Sequence, residues 1–157
     1  MRNIVLVSVM AGFLLAGCAP AAEQQVTLYY YNPEVDMDAS GNVACSEAGL
    51  APVQRFLPAA LSGDALVRET VELLLGGELM AEERSEGITT EFPLVGLALT
   101  DVLLSDGVAT LTFEDPSFAT SGGACRVAVL WAQIEATVLQ LEGVELVKYE
   151  PANLFQP

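Results

Sequence analysis

Cys18 has the surroundings that specify the clearest chemistry, because it directly follows leucine, alanine and glycine at positions 15–17. Small residues there let a lipoprotein peptidase cut before the cysteine, whose thiol would already carry a diacylglyceryl group. Upstream, Arg2 and a short apolar run are typical of a secretory leader that is too short to span a bilayer. We therefore predict a lipoprotein signal peptide over residues 1–17. The alternative is an ordinary signal peptide with a cysteine there by chance.

Residues 18–25 are small, polar and without a hydrophobic period, as expected of a tether between an acylated cysteine and a folded domain. One acyl chain binds a membrane marginally, whereas two or three, such as palmitate, hold it firmly. The predicted location is the cell envelope, on the extracytoplasmic side of a bacterial membrane, with the lipid on Cys18 as the membrane contact.

The chain is strongly acidic, with 6 basic and 21 acidic residues among 157 and no histidine. Loss of Arg2 with the leader leaves five basic residues against 21 acidic ones, a charge of −16. Such a surface repels nucleic acid and anionic lipid head groups, so neither is an expected partner. The acidity is compatible with a salty or acidic environment, and equally with a basic partner or with cation binding.

A cation site is suggested by residues 36–47, whose spacing matches a twelve-residue calcium loop. Oxygen-bearing side chains alternate along it, a glycine permits the sharp turn, and a glutamate stands at the twelfth position. The candidate ligands are Asp36, Asp38, Ser40, Asn42 and Glu47. Acidic residues with glycine also make ordinary solvated turns, and no helical period follows, so both interpretations stay open. Calcium is the one cofactor that the sequence suggests.

Cys45 and Cys125 are left as a pair once Cys18 is lipidated. In an oxidising compartment such a pair is expected to form a structural disulfide, here closing a loop of roughly 80 residues.

Catalysis finds little support in the composition. A chain without histidine cannot use a histidine-assisted nucleophile, and its single lysine, Lys148, lies in a predicted strand with no serine held against it. Close carboxylate pairs are unavoidable among 21 acidic residues, and no glycine-rich phosphate loop is present. We predict that the protein is not an enzyme; a cell-wall hydrolase is the weaker alternative.

The predicted elements are strand, strand, helix, strand, strand, helix, strand. Strands are predicted at 26–31, 53–57, 97–105, 108–113 and 144–149, and helices from a cap at Ser62 to Gly76-Gly77 and over about 124–141. Residues 78–94 are expected to be mostly irregular. This order predicts an α/β domain of the α+β two-layer kind, with about five strands in one mixed or antiparallel sheet and two helices packed on one face. The domain is expected over 26–152, followed by a loose tail at 153–157.

Two groups of aromatic residues have alternative interpretations. Trp131 falls in the apolar period of the second helix, which predicts a place in the core. Tyr29 and Tyr31 should share one face of the first strand, with Tyr30 opposite. They form either a stacking surface for glycan or peptide, or a cover over the core.

Over nearly all of residues 26–149 the sequence resembles the GerMN domain family, named for lipoproteins of sporulation and spore germination. Five segments carry the resemblance: the opening strand at 26–31, Leu73-Leu74-Leu75-Gly76-Gly77, Phe92-Pro93, Asp106-Gly107-Val108-Ala109, and the helix over 132–140.

The resemblance implies a domain outside the cytoplasmic membrane, often on a lipoprotein, in bacteria with or without spores. It also implies a fold similar to the ring-building modules of envelope secretion complexes, and so a role in docking and assembly with an envelope protein. A calcium-binding or glycan-binding envelope module is the competing function.

Overall fold

The computed structural model describes residues 22–156 and has an α+β fold. Its strands are β1 (Glu23–Tyr31), β2 (Leu50–Pro58), β3 (Ala98–Ser105), β4 (Val108–Glu114) and β5 (Leu146–Glu150). Its helices are α1 (Gly63–Gly76), the short α2 (Ala81–Ser85) and α3 (Ala124–Leu139), with a 3-10 turn at Glu47–Gly49. The prediction of an α+β fold with five strands and two long helices is confirmed. The leader and Cys18 lie outside the described residues.

The strands form two sheets, whereas the sequence predicts one. β1 pairs antiparallel with β2, while β4 lies between antiparallel β3 and parallel β5. The free edge of β1 is occupied by α3: the hydroxyl of Thr137 accepts a hydrogen bond of 2.9 Å from the amide of Tyr29, and the side chain of Gln140 donates to the carbonyl of Thr27. A helix that satisfies this edge leaves no place there for a strand of the second sheet.

The central hairpin follows the sequence prediction closely. Asp106 and Gly107 both have positive φ, 51° and 79°, as a tight two-residue turn between antiparallel strands requires. Aspartate tolerates this region and glycine enters it without a steric penalty, which is why this dipeptide identified the turn.

Both long helices contact both sheets: α1 packs on β1 and β3, and α3 packs on β1 and β5. Their apolar stripes therefore meet in the core between the sheets. The largest fully buried apolar side chains are Leu28, Tyr30, Val67, Val71, Leu74, Leu111, Leu130, Ile134 and Val138. Among residues 22–156, no helix is long and apolar enough to cross a membrane.

The segment between α1 and β3 contains α2, although the sequence predicts a mostly irregular connection there. Glu83 accounts for this short helix, because its carboxylate accepts a hydrogen bond from the Met80 amide at the helix start and forms an ion pair of 2.7 Å with Arg55. An ion pair to a distant strand cannot be recognised from local periodicity.

Both ends of the domain differ from the predicted boundaries. β1 begins at Glu23, within the predicted tether, and the side chain of Gln24 donates to the carbonyl oxygens of Pro58 and Leu61. The tail at 153–157 was expected to be loose, yet Leu154 and Phe155 are buried in the core cluster. Their burial removes apolar surface from water, which orders the segment that carries them.

Candidate functional site

The acidic loop, defined as residues 33–46, joins β1 to the 3-10 turn. At its base Asp36 is 4% exposed, and its carboxylate accepts hydrogen bonds from the Tyr31 hydroxyl and from the amide and hydroxyl of Ser46, the latter two at 2.7 and 2.6 Å. The Ser46 hydroxyl and then the Tyr31 hydroxyl hold the pKa of Asp36 below its ordinary value. This carboxylate is therefore satisfied by the protein itself.

Asp38 forms the tip of the loop in a similar way. Its carboxylate accepts hydrogen bonds from the amides of Asn42 and Ser40, at 2.9 and 2.8 Å, and these bonds lower its pKa. Gly41 lies between them with a φ of 81°, which permits the reversal. The arrangement is a side-chain-stabilised turn.

The five candidate calcium ligands thus have different roles in the structure. Asp36 and Asp38 accept protein donors, Ser40 and Asn42 donate their amides to Asp38, and Glu47 begins the 3-10 turn beside α3. Within the part of the chain that the structure describes, no group of three or more histidine, cysteine, aspartate or glutamate side chains is arranged to hold a metal ion. The calcium site stays a prediction.

A disulfide joins Cys45 to Cys125, with 5.2 Å between their Cα atoms. It attaches the end of the acidic loop to the first turn of α3. The covalent link therefore fixes Ser46 and Glu47 against the side of this helix.

Next to the disulfide is the Trp131 cleft, which we define as two hollows on either side of Trp131. The acidic hollow has a volume of about 250 Å³ and is lined by Glu47, Glu135 and the start of the 3-10 turn. The apolar hollow has a volume of about 440 Å³ and lies between α3, β5 and the C-terminal segment, with Tyr149 and Phe155 in its wall.

Trp131 is 45% exposed, and its predicted place in the core is wrong. The buried stripe of α3 runs through Val127, Leu130, Ile134 and Val138. Trp131 follows Leu130 directly, and one residue turns an α-helix by about 100°, so the indole lies at the margin of the stripe.

A row of aromatic rings connects the exposed indole to the core. Trp131 contacts Tyr149 edge-on at 6.4 Å between centroids, Tyr149 contacts Phe155 at 5.1 Å, and Phe155 contacts buried Phe113 at 6.5 Å. Burial, and then the charge of Glu135, raise the pKa of Tyr149 far above its ordinary value. The buried Tyr149 hydroxyl has no hydrogen-bond partner among the described residues.

The acidic hollow contains Glu135, a carboxylate whose pKa is shifted in the opposite direction to that of Asp36. Burial, and then repulsion by Glu47, raise the pKa of Glu135 above its ordinary value. The ion pairs found among residues 22–156 use Arg55, Arg68 and Arg126, and none reaches Glu47 or Glu135.

The sequence matches the family described as "Germane: Sporulation and spore germination" over residues 27–148. The chain belongs to this family. The recognition of a GerMN-like domain is confirmed by this match and by a solved structure, the tandem GerMN domains of the sporulation protein GerM from Bacillus subtilis. The two share 18% identity at a TM-score of 0.55, over 89% of this chain and 44% of that one. This likeness shows the fold, and the chain spans less than half the length of that protein.

A candidate lipoprotein from Clostridium perfringens aligns at 12% identity and a TM-score of 0.39, over 86% of this chain and 81% of that one, too weakly to indicate a shared fold. Comparison with curated proteins gives no significant match.

In this GerMN-type domain, part of the apolar hollow lies outside the residues that match the family. Glu47, Trp131 and Glu135 lie within the matched residues 27–148, whereas Phe155 of the apolar hollow lies beyond them. The C-terminal segment thus adds a wall to the cleft from outside the matched region.

The three tyrosines of β1 form no open stacking face. Tyr30 is fully buried, Tyr31 is 7% exposed with its hydroxyl bound to Asp36, and the Tyr31 ring packs over Gly49, where a Cβ atom would collide with it. Within the cleft, an exposed aromatic face is offered instead by Trp131, and its offset from the helical stripe was the signal available in the sequence.

Proposed function

We propose that this protein is a lipoprotein of the cell envelope, anchored on the extracytoplasmic side through Cys18, whose GerMN-type domain docks a protein partner without catalysis. The observation that carries the proposal is the disulfide between Cys45 and Cys125. Such bonds persist in oxidising compartments outside the cytoplasm. An exported domain with a leader ending at a cysteine is what a lipid anchor would retain at the membrane.

Docking is supported by the Trp131 cleft, because an exposed tryptophan backed by other aromatic rings is typical of interaction surfaces. The serine in the cleft lining, Ser46, donates its hydroxyl to Asp36, whose lowered pKa makes it a weak base. The titratable groups of the lining are carboxylates, one phenol and Lys148. Its chemistry therefore favours binding. Where the organism forms spores, the family membership supports a role for this docking in sporulation or germination.

The anchor is tested by comparing the wild-type protein with the Cys18→Ser variant in the native host. We expect the wild type to sediment with membranes and to incorporate a palmitate analogue. The variant should lose the label and leave the membrane fraction. An unlabelled wild type, or a variant that remains fully membrane-bound, would overturn the anchor.

Docking is tested by placing a photo-crosslinking amino acid at exposed positions around the domain and identifying the products by mass spectrometry. We expect crosslinks to a defined envelope protein from a contiguous set of positions. A scan that yields only lipid, only glycan or only background products would contradict protein docking.

A further inference from the structure

Two carboxylates in the acidic hollow face each other without a basic partner. Glu135 is partly buried on α3, Glu47 opposes it from the 3-10 turn, and the described ion pairs leave both unmatched. Placing like charges together and withdrawing one from water costs free energy in the unbound domain. A cation in the hollow would offset both costs.

Trp131 forms the wall between this carboxylate pair and the apolar hollow. An indole face is the best aromatic partner for an ammonium or guanidinium group. The ring is 45% exposed, yet its edge contact with Tyr149, which in turn packs on Phe155, holds it from behind. A site whose side chains are already ordered loses little conformational entropy on binding.

The size of the acidic hollow selects among possible cations. Its volume of about 250 Å³ is below the roughly 300–1,000 Å³ that pockets for whole small molecules occupy. It suits one side chain, and a planar guanidinium can meet both carboxylates while stacking on the indole. The adjacent apolar hollow of about 440 Å³ can then accept an aliphatic neighbour of the same peptide.

We propose that the Trp131 cleft binds a basic side chain of a protein partner, arginine in preference to lysine, between Glu47 and Glu135 and against Trp131, with an apolar neighbour of that residue in the apolar hollow. This inference rests on the proposed docking function and names the chemistry of the partner. The predicted mature charge of −16 favours the same class of partner, since it attracts basic segments over long distances.

The chain contains one tryptophan, so its fluorescence reports on this cleft alone. The detergent-solubilised mature protein is titrated with acetylated and amidated Ala-Leu-Arg-Leu-Ala, its lysine analogue and its citrulline analogue, which keeps the shape of arginine without its charge. We expect saturable changes with the two basic peptides. The citrulline peptide should bind at least about fivefold more weakly than the arginine peptide, an effect that added salt reduces.

Matched variants locate the effect. Glu47→Gln and Glu135→Gln should each weaken the arginine peptide by about threefold to tenfold. Glu69→Gln removes the same charge from an exposed position on α1 and should leave the affinity unchanged. The two Trp131 variants lack the fluorescent residue, so their binding is measured by calorimetry. Trp131→Ala should show no measurable binding of the arginine peptide, and Trp131→Phe should bind it more weakly than the wild type.

A structural role for Glu135 would give a different result. Glu135→Gln should raise the free energy of unfolding while it weakens the peptide, whereas a residue needed only for folding would lower both. Equal affinities for the arginine and citrulline peptides, no saturable change with either basic peptide, or glycan binding that depends on Trp131 alone would overturn the proposal.

The same variants separate this proposal from the docking function. If envelope crosslinks to a protein persist in the Glu47→Gln/Glu135→Gln double variant and map to another face, docking stands and the cleft proposal fails. If the peptides bind as expected but no protein is crosslinked anywhere, the cleft chemistry stands and docking in the envelope fails.

Discussion

The acidic loop and the Trp131 cleft are neighbours joined by the disulfide, and they use carboxylates in opposite ways. Asp36 is buried among three hydrogen-bond donors that lower its pKa, whereas Glu135 is partly buried opposite Glu47, and its pKa rises. In the loop, the carboxylate of Asp36 is bound by donors of the protein itself. In the cleft, the carboxylates of Glu47 and Glu135 have no basic partner among the described ion pairs, which is the condition expected of a binding site.

The comparison also bears on the calcium motif. The loop has the spacing of a calcium-binding loop, and its Asp36 and Asp38 already accept five protein hydrogen bonds of 2.9 Å or less. The cleft matches no motif, because its members come from the 3-10 turn, α3 and the C-terminal segment.

Removal of the disulfide should have the largest effect, because it releases the loop from the cleft. Replacing Cys45 and Cys125 together with serine frees a crosslink over 80 residues, for which chain entropy sets an upper value of about 4.5 kcal/mol. We expect a loss close to that value in urea unfolding of the soluble domain. The wild type under reducing conditions serves as the control and should show a similar loss; unchanged stability in both would contradict a structural role.

Truncation of the cleft wall should come next. Phe155→Ala removes a buried ring that packs on Phe113 and Tyr149 and should cost about 3 kcal/mol. Phe118 is a matched control, since it has nearly the same positive φ, 53° against 54°, but is 69% exposed. Phe118→Ala should change stability by no more than about 0.5 kcal/mol. If Phe155→Ala lost as little stability as Phe118→Ala, the ring of Phe155 would not contribute to the core.

A smaller loss is expected within the acidic loop from Ser46→Ala. The Ser46 hydroxyl donates to Asp36 and accepts from the Ala48 amide at the 3-10 turn, so its removal should cost about 1 kcal/mol. Ser40→Ala is the control, because only the Ser40 amide bonds to Asp38. Thermal unfolding distinguishes the two variants, and equal midpoints would rule out a role for the Ser46 hydroxyl.

The pH dependence of this loss has a definite sign. Asp36 has a lowered pKa in the folded state, so the stability it contributes is present above its ordinary pKa of 3.8 and is lost as the pH falls through the folded value. The difference between wild type and Ser46→Ala should therefore shrink in acid. A difference that grows in acid would contradict this account of Asp36.

Glu135→Gln should have the smallest effect and the opposite direction. The raised pKa of Glu135 means that the folded state loses stability as the pH rises from the ordinary value of 4.5 through the raised one. The variant should therefore be more stable at neutral pH, by about 0.5 kcal/mol after allowance for solvent screening. Unfolding curves at pH 4 and pH 7 test this, since the gain should fade at the lower pH. A destabilised variant at pH 7 would remove the contrast with Asp36.

Local signals in the sequence predict the elements that depend on neighbouring residues. Asp106-Gly107 marks the hairpin because its backbone conformation is a property of two residues, and Gly77 ends α1 with a φ of 65° for the same reason. The position of Trp131 was predicted wrongly because it falls at helical spacing from Val127 and Ile134, whereas the buried stripe runs through its neighbour Leu130. The division into two sheets depends on Thr137, which lies 108 residues from its partner Tyr29.

Asp38 is the residue at which the predicted calcium site can be tested. A saturable heat with millimolar calcium chloride that disappears in Asp38→Asn would support a site at the loop tip. Its absence would leave Asp38 with the role of holding the turn.

The direction of β1 has a consequence for access to the cleft. Cys18 lies five residues before Glu23, where β1 begins, so the tether spans at most about 18 Å. The strand itself runs for about 27 Å to Tyr31, which pairs with Leu50 at the end of the 3-10 turn that carries Glu47. If Cys18 carries the proposed lipid, it cannot reach the cleft from this distance. The bilayer would then hold one pole of the domain while the opposite pole faces the aqueous side, and anchoring would not compete with capture of a partner.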